Sequence, residues 1–283
     1  MPHLSTKDGT NLYYKDWGTG RPVVMIHGWP LSADSWDDHA MPIAEEGYRV
    51  IAYDRRGFGR SEQPFNGYDY NTLSEDLHAV LTELDLDGAT LVGFSMGGGE
   101  VARYMARCHE KDPDRVAQAV LISSVVPYML QTADNPKGVP QDTFDTMAAA
   151  MKKDRAAFFD DFFKTFYGVG LIQHPVSDEW LEWSRSVAMS ASLKATLACA
   201  TAFATTDFRN DLTHFKVPTL VIHGTDDKTV PIDATGRAAA KGILGARLIE
   251  YAGEPHGLFK TAQKKLTQDL LDFLDEAAPL AAR

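Results

Sequence analysis

Short apolar runs alternate with helical patterns along most of the chain. Residues 11–17 mix aromatic and polar side chains, as an edge strand does, whereas the later runs are apolar at most positions. Such continuous runs are typical of strands buried on both faces of a parallel sheet. The later runs are residues 22–27, 49–53, 89–92, 116–122, 219–223 and 247–251. Strands separated by helices in this order predict an α/β protein with a mostly parallel, doubly wound sheet.

Two of the intervening helices are clearly marked. One follows Asn71, where Thr72 and Glu75 have the spacing of a capping box. Its apolar stripe, which we expect to pack on the sheet, comprises Leu73, Leu77, Val80, Leu81 and Leu84. The last helix is predicted over residues 262–276, with an inner face of Leu266, Leu270, Phe273 and Leu274.

The alternation fails between residues 124 and 216. Helix-like segments there carry many aromatic residues, namely Phe158, Phe159, Phe162, Phe163, Phe166, Tyr167, Trp180 and Trp183. We interpret residues 125–215 as a helical cap inserted into a core formed by residues 1–124 and 216–283, and this segment is called the insertion below. Most of its aromatic residues are expected to form its own core, with one or two lining a substrate pocket.

Composition and charge narrow the function classes. Of 283 residues, 44% are hydrophobic and 24% charged, which excludes a disordered, collagenous or coiled-coil chain. Lys and Arg number 28 against 39 Asp and Glu, and this net charge of −11 argues against nucleic acid and membrane surfaces as partners. The two cysteines, Cys108 and Cys199, are too few for a disulfide scaffold. With no signal-peptide pattern and no long apolar stretch, we expect a cytoplasmic protein.

The strongest chemical signal is a Gly-x-Ser-x-Gly motif centred on Ser95. It follows the apolar run 89–92 directly and precedes a helical pattern through Val101 and Met105. A serine at such a tight strand-to-helix turn is exposed above the sheet, and small glycines let neighbouring chain pass close to it. We therefore predict that Ser95 is a nucleophile.

A serine hydroxyl needs a base, and the base needs an acid that holds its tautomer. His256, between Pro255 and Gly257 just past the last predicted strand, is the candidate base. His27 and His223 each end a strand before a glycine, where a structural role is expected. The remaining histidines are expected to be solvated: His3, His39, His78, His109, His174 and His214. None has the spacing of a metal site, and we expect neither metal nor cofactor.

The acid is sought on loops that follow strands. The stretch after the run 116–122 contains no carboxylate, whereas the run 219–223 is followed by the adjacent pair Asp226 and Asp227. Consecutive residues of a tight turn point in different directions, so one carboxylate can face the histidine while the other caps the turn. This reasoning leaves both members of the pair open.

Acyl transfer also requires hydrogen-bond donors for the developing oxyanion. One donor is expected to be the backbone N–H of Met96, the residue after the nucleophile. The other is expected from the loop after an early strand, where Trp29 has an amide hydrogen and Pro30 has none.

Three motifs together resemble one family. They are GFSMGGGEVARY at 93–104, DRRGFGRS at 54–61 and HGWPLS at 27–32. The chain resembles the cofactor-free bacterial haloperoxidases, also called perhydrolases or arylesterases, of the α/β-hydrolase superfamily. The likeness covers nearly the whole chain and continues into the insertion at 127–130, 135–138 and 206–208.

The resemblance implies an α/β-hydrolase fold with a helical cap. It also implies that Asp227 is the acid, because the family places it fourth after the histidine of the H-G-x-x-D turn. The order Ser95, Asp227, His256 is then that of the α/β-hydrolases. Trp29 and Pro30 are expected to lie at the substrate pocket.

The activity implied is hydrolysis of small or aromatic carboxylic esters through an acyl-serine. Hydrogen peroxide replaces water in some family members and yields a peracid that oxidises halide without metal or haem. The proline at position 30 resembles the better perhydrolases, whereas Trp29 resembles the arylesterase branch. We expect an ester as substrate, with hydrogen peroxide as a second acceptor.

Other functions use the same fold. Epoxide hydrolases and haloalkane dehalogenases need a carboxylate nucleophile, and Ser95 argues against them. A lactonase, an amidase or γ-lactamase, or a C–C bond hydrolase would keep the same three residues, and a ligand receptor would use the scaffold without turnover. Neither the natural acyl group nor the oligomeric state is fixed by the sequence, so a homo-oligomer stays open.

Overall fold

The computed structural model describes residues 2–276, in which eight strands form one sheet. The spatial order is β1-β2-β4-β3-β5-β6-β7-β8. Strand β2 is antiparallel to β1 and β4, and all other neighbours are parallel. The strands are β1 His3–Ser5, β2 Asn11–Gly18, β3 Pro22–Ile26, β4 Arg49–Tyr53, β5 Ala89–Phe94, β6 Val116–Ile122, β7 Thr219–Gly224 and β8 Arg247–Tyr251. The predicted α/β architecture with a mostly parallel sheet is confirmed.

Ten α-helices accompany the sheet within residues 2–276. They are α1 Asp37–Glu45, α2 Tyr70–Glu83, α3 Met96–Arg107, α4 Gln141–Lys153, α5 Arg155–Phe166, α6 Asp178–Ser190, α7 Leu193–Thr205, α8 Gly236–Gly242, α9 Leu258–Thr261 and α10 Gln263–Asp275. Helices α4 to α7 follow one another between β6 and β7, where the insertion was predicted. Among the described helices no single one is long and apolar enough to cross a membrane, although the bent pair α6 and α7 passes that test jointly by length and composition.

Two local predictions were wrong. The run at 11–17 was expected at the edge of the sheet, but β1 pairs with β2 through the register Leu4 to Leu12 and takes the edge. Helix α2 was expected to begin with a capping box of Thr72 and Glu75. The cap is instead Asp69, whose side chain accepts from the backbone N–H groups of Asn71 and Thr72.

The middle of the sheet is the most deeply buried part of the fold. All six residues of β5 are buried, and β3 and β6 lie on its two sides. Parallel strands end at the same edge of a sheet, so the loops after β3, β5, β7 and β8 meet there. Each residue predicted to do chemistry lies on one of these loops or at the start of α3.

Candidate active site

Ser95 lies at the turn from β5 into α3 with a left-handed backbone, φ = 54°. Two glycines make that turn sterically feasible. A Cβ on Gly93 would lie 2.6 Å from the carbonyl oxygen of Gly97, and a Cβ on Gly97 would lie 2.5 Å from the carbonyl oxygen of Ile26. The predicted strand–turn–helix context of the serine is therefore present, and the turn aims its side chain at the loops above the sheet.

Ser95, His256 and Asp227 form a continuous chain of hydrogen-bonding atoms. The Oγ of Ser95 is 2.9 Å from Nε2 of His256, and Nδ1 of that ring is 2.7 Å from Oδ2 of Asp227. The rings of Phe94 and Phe166 pack against the imidazole at centroid distances of 5.1 and 4.8 Å. All three polar residues are at least nine-tenths buried. The arrangement can activate a serine hydroxyl and hold the base in one tautomer.

The carboxylate of Asp227 is held on both oxygens. Oδ1 accepts from the backbone N–H groups of Thr229, at 2.9 Å, and Val230, at 2.8 Å. Oδ2 faces His256, and Nε2 of His223 lies 3.2 Å from the same oxygen. Burial alone would raise the pKa of Asp227, but the charges and hydrogen bonds of His256 and His223 outweigh burial and hold its pKa below the usual range.

The neighbouring carboxylate has a different setting. Asp226 is exposed and pairs with the ammonium group of Lys228. Its backbone N–H donates to the carbonyl of Glu254 at 3.1 Å. Of the two aspartates that the sequence left open, only Asp227 contacts His256.

The two predicted oxyanion donors lie beside the serine. Met96 is the first residue of α3, where a backbone N–H has no intrahelical acceptor. Trp29 lies in a turn closed by the N–H of Leu31 and the carbonyl of Gly28, and a Cβ on Gly28 would lie 3.0 Å from Cβ of Ser95. Within residues 2–276 neither amide has a hydrogen-bond acceptor.

A cavity of about 670 Å³ opens above the serine. Ser95 and His256 line it, together with Trp29 of the core and side chains of the insertion. The apolar wall of the insertion includes Met129, Phe144, Met147, Phe158, Phe162 and Phe203. Charged groups of Lys153, Asp154, Asp161 and Lys228 form a smaller part of the lining. Because most of the lining is apolar, the cavity suits a largely apolar ligand with its reactive group at Ser95.

The insertion is tied directly to the oxyanion loop. The indole Nε1–H of Trp29 donates to the backbone carbonyl of Thr196 in α7 at 3.0 Å. The rings of Phe158, Phe162 and Phe203 surround the same indole at centroid distances of 5.3 to 6.4 Å. The ring of Trp29, whose amide is a predicted oxyanion donor, thus forms part of the cavity wall.

Several expectations from the sequence need correction. Pro30, which was expected at the substrate pocket, is buried and is not among the residues that line the cavity. His39 and His109 were expected to be solvated but are buried.

Among residues 2–276, no group of three or more His, Cys, Asp or Glu side chains is placed to hold a metal ion.

Sequence reasoning also missed residues around the site. The backbone donors to Asp227 and the approach of His223 depend on the path of the loop after β7, which no motif specifies. Met129 and Met147 were not identified as lining residues. Met147 lies on α4, and helix periodicity predicts which residues share a face but not what that face covers; Met129 lies in the loop before α4, where no periodicity applies.

Comparisons with known proteins agree with this geometry. A family model described as the alpha/beta hydrolase fold matches residues 21–263. The chain belongs to the α/β-hydrolase family. It is 43% identical over 278 residues to a non-heme chloroperoxidase of Kitasatospora aureofaciens, with 98% of this chain and 100% of that protein covered. It is 42% identical over 278 residues to a bifunctional esterase/perhydrolase of Acinetobacter calcoaceticus, with 97% and 99% covered.

A solved structure gives the same result. The crystal structure of a bromoperoxidase from Bacillus anthracis superposes with a TM-score of 0.92 at 43% sequence identity, covering 97% of this chain and 100% of that one. The resemblance to haloperoxidases and perhydrolases stated from the sequence is therefore confirmed.

Proposed function

We propose that the protein is a serine carboxylic-ester hydrolase that also forms peracids from hydrogen peroxide. The observation that carries this proposal is the chain of contacts from Ser95 Oγ through His256 to Asp227, at 2.9 and 2.7 Å, at the base of a largely apolar cavity. The similarity to an esterase/perhydrolase and to a non-heme chloroperoxidase supports both activities.

The first half-reaction is acylation. Ser95 Oγ attacks the ester carbonyl while His256 Nε2 takes its proton, and Asp227 stabilises the imidazolium that forms. The amides of Trp29 and Met96 donate to the oxyanion of the tetrahedral intermediate. Collapse of that intermediate breaks the C–O bond, and His256 returns the proton to the leaving alcohol.

The second half-reaction releases the acyl group. His256 takes a proton from water, the resulting oxygen nucleophile attacks the acyl-serine, and Ser95 leaves as the hydroxyl after recovering that proton. With hydrogen peroxide in place of water, the same sequence yields a peroxycarboxylic acid. Oxidation of halide by this product occurs outside the triad and needs no further protein group.

The cavity favours neutral substrates with apolar acyl or aryl groups. Apolar side chains make up most of the cavity wall and offer no partner to a charged group, and burying an unpaired charge is costly; the charged groups of Lys153, Asp154, Asp161 and Lys228 form only a smaller part of the lining. We propose that the insertion acts as a cap that selects the acyl group, with residues 1–124 and 216–283 as the hydrolase core. We also propose a cytoplasmic location.

Substitution of the nucleophile tests the proposal. Ser95→Ala is expected to lower turnover of an aryl acetate by up to about 10⁶-fold, and peracid formation with it, while the fold is kept. Steady-state kinetics and thermal unfolding of both proteins measure this. Near-normal hydrolysis by the variant would overturn the mechanism. Tight ester binding without turnover in the wild type, and no labelling of Ser95 by a fluorophosphonate, would instead indicate a receptor.

A further inference from the structure

A buried charge network lies directly behind the oxyanion loop. Its members are Arg55, just after β4, and Glu100, on the second turn of α3. The guanidinium of Arg55 pairs with the carboxylate of Glu100, and the Tyr53 hydroxyl donates to the other carboxylate oxygen at 2.7 Å. The side chains of the charged pair are 1% and 0% exposed. Buried ion pairs contribute little to stability when compared with apolar replacements, so this one invites another explanation.

Arg55 also forms hydrogen bonds to His27, which lies two residues before Trp29. Its Nη2 donates to the backbone carbonyl of His27 at 2.6 Å, and its backbone N–H donates to Nε2 of the His27 imidazole at 3.0 Å. Because Nε2 accepts a hydrogen bond, the neutral ring carries its proton on Nδ1. Nδ1 lies 3.0 Å from the carbonyl oxygen of Gly28 and donates to it. Burial, and then the charge of Arg55, hold the pKa of His27 well below its usual range, which keeps the ring neutral.

The Gly28 carbonyl decides where the oxyanion donor points. It belongs to the same peptide unit as the Trp29 N–H, and in a planar trans peptide these two groups point in opposite directions. The Gly28 carbonyl accepts two hydrogen bonds, one from Nδ1–H of His27 at 3.0 Å and one from the backbone N–H of Leu31 at 2.9 Å. With the carbonyl held by these two donors, the Trp29 N–H on the opposite side of the same peptide is held as well, and the proposed function assigns that N–H to the oxyanion.

The other end of the network fixes the second donor. Glu100 is four residues after Met96 on the same helix, so the Arg55 pair joins α3 to the loop of residues 27–29. We infer that Tyr53, Arg55 and Glu100 act, through His27, as positioning residues that set the direction and spacing of the Trp29 and Met96 amides. These residues are called the brace below. The inference rests on the proposed function, because it assigns the two amides to the oxyanion.

Replacement of the whole brace by apolar residues separates positioning from stability. In Y53F/R55M/E100L no member of the brace is left as a buried unpaired charge or hydroxyl, and such exchanges are often tolerated by the fold. The matched control is R56M/D76L, which removes the neighbouring buried pair joined at 2.6 Å. Within residues 2–276, Arg56 and Asp76 make no hydrogen bond to residues 27–29.

The expected result is specific to the transition state. Misplacement of an oxyanion donor should lower kcat for an aryl acetate by about 100-fold in the brace variant, with KM changed by less than about threefold. The affinity for an aryl trifluoromethyl ketone, which forms an oxyanion on Ser95, should fall in parallel with kcat/KM. R56M/D76L should show neither loss, and thermal unfolding identifies the folded variants.

Each outcome decides the inference. If the folded brace variant matches R56M/D76L in kcat, or loses kcat without losing ketone affinity, the inference is wrong. If the brace variant does not fold, Arg55→Lys is measured instead. A lysine keeps the positive charge but has no planar guanidinium to bond the His27 carbonyl and Glu100 together, so kcat and ketone affinity should fall in parallel. A folded Arg55→Lys enzyme without these losses contradicts the inference. The first measurement is ester turnover by the wild type and by Ser95→Ala. If the wild type shows no turnover, or if Ser95→Ala keeps it, the result counts against the proposed function and not against the brace.

Discussion

The substitution Asp227→Asn tests the catalytic acid most sharply, because the structure decides how the new amide is oriented. Oδ1 of Asp227 accepts from the backbone N–H groups of Thr229 and Val230. An asparagine must place its carbonyl oxygen there, since its amino group would face two donors. The amino group then takes the place of Oδ2, which lies 2.7 Å from Nδ1 of His256.

This orientation forces the wrong tautomer on the base. An amide N–H directed at Nδ1 requires a lone pair on that nitrogen, so the ring proton moves to Nε2, which faces Ser95 Oγ at 2.9 Å. A protonated Nε2 cannot accept the serine hydrogen. The same exchange in other Ser-His-Asp enzymes lowers kcat by about 10⁴, which corresponds to about 5 kcal/mol of activation free energy. We expect a loss of that size with little change in KM.

Asp226→Asn is the matched control. The Asp226 side chain is exposed and its ion pair with Lys228 lies at the surface, where such pairs contribute little. Hydrolysis of 4-nitrophenyl acetate, followed with both variants after thermal unfolding has verified the fold, measures the contrast. An Asp227→Asn enzyme within tenfold of wild type, as an order of magnitude, would refute the tautomer argument, and a larger loss in Asp226→Asn would move the acid by one residue.

Three further predictions follow from burial. Burial lowers the pKa of His39 to about 4, so the ring stays unprotonated in the folded state while the unfolded chain binds a proton below pH 6.5. The contribution of His39 to the free energy of unfolding is therefore fully present above pH 6.5 and should fall by about 3 kcal/mol toward pH 4. Urea unfolding across this pH range should show a smaller fall in His39→Gln. Burial raises the pKa of Cys199 to about 12 and also raises that of Cys108, so neither thiol should react with a disulfide reagent at pH 8 until urea is added. Phe162→Ala should raise kcat/KM for benzoate relative to acetate esters by about tenfold, whereas Phe163→Ala, which is buried away from the cavity, should lower stability and leave that preference unchanged.

The parts of the fold that depend on local patterns were predictable. The runs at 49–53 and 116–122 match β4 and β6 residue for residue, because a strand buried on both faces leaves a continuous apolar signal. The run at 247–251 also matches β8, although that strand lies at the edge of the sheet and only Tyr251 is buried. The turn at Ser95 was predictable for a similar reason, since its glycines are needed within a few residues of the serine.

Features that depend on distant chain were not predictable in this way. Burial of His39 comes from contacts with the carbonyl of Phe259 and the hydroxyl of Thr267, more than two hundred residues away. The choice between Asp226 and Asp227 required the family resemblance, because both follow the same strand. The N-cap of α2 is Asp69 and not Thr72, and both residue types are good N-caps, so the capping preference alone did not place the start of the helix.

The bond between the Trp29 indole and the Thr196 carbonyl has a consequence for how specificity can change. A cap that only shaped the acyl pocket could be exchanged for another without affecting the chemical step. Here the side chain that contacts the proposed cap belongs to Trp29, whose amide is the proposed oxyanion donor, so changes in substrate range and changes in rate should depend on the same contact. Chimaeras that replace α7 should keep a carbonyl at the position of Thr196, and variants with an altered substrate range should accumulate compensating changes beside Trp29.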